Sequence, residues 1–180
     1  MHSITEILNI ILKSIFVGFG VIIPILTLIK TSGLKSIEVK DLFILSAVQL
    51  VRISGILYFI LAISGNLTVF TAKNASGQGP GIEYFLYLFF SPLMYLLLTQ
   101  LFWLKKLYMK KPARITLSIL MLILPSSWFL LFVKTENIST VAKAVFNTEV
   151  ISVFCLNIIV FIFMTFTIIL LGGKLKDKKA

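Results

Sequence analysis

"AVQLVRISGILYF", residues 47–59, sets a single arginine in the middle of an otherwise apolar run. In a water-soluble domain this would be a buried strand with a misplaced charge. In a bilayer it is a cation near the midplane, which is costly to keep and therefore informative. The surrounding composition decides between the two. Hydrophobic residues make up 58% of the 180 and charged residues 13%, and the mean hydropathy is +1.03. Soluble domains carry about 25% charged residues. A soluble fold of this length cannot hide so much apolar surface, so lipid is the solvent the sequence implies. The fold class expected is an all-α, multi-pass integral membrane bundle with almost no soluble part.

Working outward from Arg52, five stretches are long enough to cross a hydrocarbon core of ~30 Å at about 20 residues each. They run over 7–29, 42–63, 84–104, 115–133 and 150–171. They form one transmembrane domain over 1–180, without a linker, a repeat or a low-complexity tract. The longest connection, "SGNLTVFTAKNASGQGPGIE", is rich in Gly and small polar residues and reads as an extramembrane loop. The opening "MHSITEILNIILKSIFVGFG" has Glu6, no basic residue before Lys13 and no small-residue cleavage pattern. It reads as an uncleaved first span rather than a secretory signal.

The charges orient the bundle. Of 17 Lys and Arg against 7 Asp and Glu, for a net charge of +10, most lie in short stretches between spans. One side holds Lys30, Lys35 and Lys40, then Lys105, Lys106, Lys110, Lys111 and Arg114, then Lys174, Lys176, Lys178 and Lys179. The other holds only Lys73, Lys134 and Lys143. Twelve against three places the N-terminus outside and the C-terminus in the cytoplasm. Four or six spans would put a basic cluster on the wrong side. Tyr84, Tyr87, Trp103, Tyr108 and Trp128 fall near span ends, where such rings favour the headgroup region.

With that topology, Arg52 lies eleven residues past Asp41, about 16 Å from the inner boundary. Gln49 shares its helix face one turn earlier. Every carboxylate falls outside the spans, so the cation needs another kind of partner. Asn157 is the side chain expected at nearly the same depth. Pro92 in "FFSPLMY" and Pro125 in "LILPSSWF" each free a carbonyl one turn earlier, with Ser91, Ser126 and Ser127 at hand to satisfy the opened backbone. Gln49, Arg52, Ser91, Pro92, Pro125, Ser126 and Asn157 thus form the candidate midplane polar site, a device transporters also use. The alternative is that proline is simply common in membrane helices. Ser14 and Gly18, four apart, suit a close helix contact in the first span.

The inventory limits the chemistry. Cys155 is the only cysteine and His2 the only histidine, so intrachain disulfides, histidine-rich metal sites and Ser/His/Asp catalysis are not expected. No cofactor and no enzymatic activity is expected, because the spans and their mouths lack His, Asp or Glu suited to acid–base work. Lys105, Lys106, Lys110, Lys111 and Arg114, in "KKLYMKKPAR", are expected to contact anionic lipid headgroups at ~1 kcal/mol per residue. Nucleic acid is not an expected partner. Sequons at Asn66, Asn74 and Asn137 fall on the expected outer side. The Ile, Leu, Phe and Lys bias points instead to an AT-rich bacterial genome and a bacterial inner (plasma) membrane. Two functions fit: an accessory or scaffold subunit of a membrane complex or homo-oligomer, or a small transporter or pore around Arg52. The first is preferred, because only two strongly polar residues lie deep.

Overall fold

The computed structural model describes residues 4–75, 82–124 and 148–172. All regular structure among them is helical: α1 (Ile4–Leu28), α2 (Leu34–Ala75), α3 (Ile82–Leu101), α4 (Lys105–Met109), α5 (Lys111–Ile123) and α6 (Thr148–Leu171). Three helices are long and apolar enough to cross a membrane, namely α1, the Leu34–Thr71 part of α2, and α6. Leu88–Leu101 of α3 is a shorter apolar stretch. Pro125, Ser126, Ser127, Trp128, Asn137 and the four C-terminal lysines lie outside the described residues.

The helix boundaries follow local chemistry. Pro24 is accommodated within α1, and the chain then turns at Gly33, whose φ of +105° suits a residue without Cβ. The Lys40 ammonium donates to the Ile29 carbonyl at 3.0 Å, satisfying a group that the end of α1 leaves open. Pro112 sits in the first turn of α5, where its missing N–H costs nothing. One difference from the sequence reading stands out. Residues 64–75, expected as loop, continue α2. Thr71 back-bonds to Leu67 at 3.0 Å, and Asn66 Nδ2 donates to the Leu88 carbonyl at 2.6 Å, tying this segment to α3. Small polar residues that signal a loop in isolation are held helical by these bonds.

α1 is the central helix, touching α2, α5 and α6. Its buried face carries Phe16 and Phe19, both fully enclosed. Phe16 stacks on Tyr95 at 4.3 Å and meets Tyr58 edge-on at 5.5 Å, while Phe19 meets Phe102 at 5.1 Å and Phe161 at 6.2 Å. Such offset and edge-to-face pairs hold geometry beyond what area burial gives. α2 and α3 form an antiparallel hairpin, with rungs at Asn66–Leu88, Tyr58–Tyr95 and Gly55–Thr99. α5 runs antiparallel to α1, since Gly20 faces Ser118 and Leu122 while Thr27 meets Arg114.

α6 runs parallel to α1. Ser14 meets Asn157 and Gly18 meets Phe161, advancing four residues together. The expected close contact at Ser14 and Gly18 is therefore the α1–α6 seam. A Cβ on Gly18 would lie 2.6 Å from Phe161 Cγ and nearer still to its Cβ. Only a glycine admits α6 this closely.

Candidate functional site

Arg52 marks a break in the neighbouring helix. α3 tightens at its end through three-residue bonds: Phe102 N–H to Thr99 O at 3.2 Å, Trp103 N–H to Gln100 O at 3.0 Å and Leu104 N–H to Leu101 O at 3.2 Å. The chain then passes to the five-residue α4, leaving the Phe102 carbonyl beyond the helical ladder. Arg52 donates to that carbonyl through Nε at 2.8 Å and through Nη2 as well. A cation suits the C-terminal end of a helix, where the carbonyl dipoles converge.

The two flanks are aromatic. The guanidinium carbon lies 5.1 Å from the centre of the Trp103 ring and 4.8 Å from that of Tyr108, inside the ~6 Å reach of a cation–π contact. Magnitudes explain why such a cation is tolerated. At the central depth that the sequence reading expects, an arginine costs about 2.5–3.5 kcal/mol. A hydrogen bond from a charged group contributes about 1.5–3 kcal/mol, and each ring adds about 0.5–2 kcal/mol. Local contacts of uncharged groups thus offset the penalty without an acid. Beside the arginine is a cavity of about 430 Å³, lined also by Gln49, Leu50, Ile53, Trp103 and Ile168.

The other expected site residues are distributed rather than gathered. Gln49 shares the cavity with Arg52. Ser91 lies beside Tyr58, and Pro92 is buried next to it in α3. Eleven residues separate Ser91 from Phe102, about 16 Å along the helix. Pro125 and Ser126 lie outside the described residues. Asn157 lies 2.7 Å from Ser14 Oγ, which also lies 2.8 Å from the Ile10 carbonyl. One hydroxyl proton cannot serve both acceptors. An amide orientation with Asn157 Nδ2 donating to Ser14, and Ser14 donating to Ile10, satisfies all three groups. Phe19 packs on Phe102, so the Arg52 acceptor lies about five residues, ~7.5 Å, along α1 from the Ser14–Asn157 contact. Arg52 and Asn157 are two separate polar contacts.

Sequence reasoning missed the acceptor itself. A backbone carbonyl has no signature in side-chain identity, and the break after Leu101 follows no Pro or Gly. Trp103 and Tyr108 were legible only as interfacial aromatics. Of the basic loop, Lys105, Lys106, Lys110 and Lys111 are exposed, whereas Arg114 is half-buried and donates through Nε to Thr27 Oγ1 at 3.0 Å. Partial burial lowers the pKa of Arg114, and the carboxylate of Asp41 opposes that shift. Four of the five expected lipid contacts are therefore exposed, while the fifth braces α5 against α1.

Comparison with known protein families, with curated proteins and with solved structures finds no match.

Proposed function

We propose that the chain is a non-enzymatic, five-span protein of a plasma membrane, of the bacterial inner-membrane type, with its N-terminus outside and its C-terminus cytoplasmic. Its role is that of an accessory or scaffold subunit in a membrane complex or homo-oligomer. The parallel course of α1 and α6 supports an odd number of crossings, with α2 opposed to α1 through the pairs Lys40–Ile29 and Tyr58–Phe16 and α5 opposed through Arg114–Thr27 and Ser118–Gly20. The basic asymmetry across the loops supports the orientation.

The observation carrying the scaffold reading is the fate of the deep polar groups. Arg52 is engaged by a carbonyl and two rings, and Asn157 by Ser14. Polar groups that satisfy one another locally rigidify helix contacts, whereas a conducting path needs polar groups left facing water. The cavity beside Arg52 favours the second reading, a small transporter or pore, to the extent that it opens on the guanidinium.

The two separate experimentally. Mild-detergent extraction followed by native mass measurement should give a species well above the 20.2 kDa of one chain. Cys155, the single cysteine, is exposed on α6 and reports self-association by thiol cross-linking. A monomer that mediates solute flux in liposomes, abolished by Arg52→Leu, would overturn the scaffold reading in favour of the pore.

A further inference from the structure

The turn between α1 and α2 roofs a second, larger cavity of about 650 Å³, bounded by α1, α2 and α6. Its lining is almost wholly apolar, with two lysines among the residues that bound it. Ile22, Leu26, Phe43, Ile162 and Phe166 form an apolar floor, and Thr31, Lys35, Ser36 and Lys40 stand at one end. Lys35 is exposed and Lys40 half-buried. The ammonium of Lys40 uses one of its three donors on the Ile29 carbonyl. Thr31 Oγ1 is shielded from solvent and has no hydrogen-bond partner among the described residues.

We propose that this groove holds one anionic phospholipid, resting on the membrane reading above but not on the scaffold role. The phosphate lies at Lys35 and Lys40. One acyl chain follows the floor from Leu26 and Phe43 toward Ile162 and Phe166. The volume falls within the range of ~300–1,000 Å³ usual for bound small molecules. It suits one chain and the glycerophosphate, with the second chain left in the bilayer. Charge complementarity selects the anionic headgroup, and the apolar floor selects a lipid over a free phosphate.

The test is native mass spectrometry of the purified chain with equimolar phosphatidylglycerol and phosphatidylcholine of identical acyl chains. The wild type should retain a single phosphatidylglycerol in preference to phosphatidylcholine. Lys35→Gln combined with Lys40→Gln should reduce that preference at least fivefold. Val39→Trp, which fills the groove from a half-exposed position with both lysines intact, should expel the lipid. Lys13→Gln removes a cation from an exposed position on α1 outside the groove lining and should leave retention unchanged. Equal retention of the two lipids, or an equal loss in the Lys13 control, overturns the proposal. So does displacement of the lipid by millimolar inorganic phosphate. A chain that keeps its lipid but assembles with nothing overturns only the scaffold reading. One that assembles normally without lipid preference overturns only this one.

Discussion

Replacing Gly18 with alanine should destabilise the bundle far more than one methyl group ordinarily would. In the wild type a Cβ at this position would lie 2.6 Å from Phe161 Cγ and 3.0 Å from Cδ1, with Phe161 Cβ closer than either. Carbon atoms rest at about 3.5–4.0 Å, so α1 and α6 must part by roughly 1 Å. That separation reaches the neighbouring contact one turn away, where Ser14 and Asn157 stand 2.7 Å apart. Opened by 1 Å, it passes the limit of a real hydrogen bond, ~3.5 Å. Overpacking contributes about 1–3 kcal/mol and the lost bond about 0.6–1.7 kcal/mol. Together these give about 2–5 kcal/mol, a change of roughly 15- to 3,000-fold in the folding equilibrium. The measurement is unfolding of the purified protein by a denaturing detergent, followed by circular dichroism.

The partner substitution sharpens the test. Phe161→Ala keeps the Cβ that obstructs, so it should not rescue Gly18→Ala, whereas Phe161→Gly should recover part of the loss. Gly65→Ala is the control: nothing lies within 4 Å of its Cβ position, and it should stabilise α2 by about 0.5–1 kcal/mol. A neutral Gly18→Ala, or a rescue by Phe161→Ala, would refute the close seam between α1 and α6.

The remaining expectations concern charge and polarity. Arg52→Leu should insert more readily, being relieved of about 2.5–3.5 kcal/mol. Yet the α2–α3 hairpin should melt at lower temperature, because the Phe102 carbonyl loses its donor at about 1–3 kcal/mol. Arg52→Lys should restore this only partly, since an ammonium lacks the planar fork; unchanged melting in both variants would remove the capping role. Ser14→Ala and Asn157→Leu should each cost about 0.6–1.7 kcal/mol, and the double variant no more than either alone, as a thermal double-mutant cycle would reveal. Reporter fusions after Lys111 and at the C-terminus should read cytoplasm, and those near Ser76 and Ser139 the outside. An external C-terminus would eliminate the five-span arrangement. Gln at Lys105, Lys106, Lys110 and Lys111 should weaken orientation bias and vesicle binding without lowering the melting temperature. Arg114→Gln, by contrast, should lower it through the lost bond to Thr27.

By itself the sequence pointed to lipid as the solvent and to the helix as the kind of element. An apolar share of 58% and runs of about 20 apolar residues admit only helices, because a lipid-facing backbone must satisfy its own hydrogen bonds. The pair Ser14 and Gly18 also pointed in advance to a close seam, since small residues four apart leave one flat patch on a helix. Which helix fills that patch was decided by the tertiary structure, since the spacing of one face says nothing about its partner. The same holds for Arg52. Its cost was legible in the string, because desolvating a charge depends on residue type and depth alone. Its acceptor was not, because the Phe102 carbonyl belongs to a backbone that every residue shares. Only the antiparallel register of α2 against α3 brings the end of one helix level with the cation of the other.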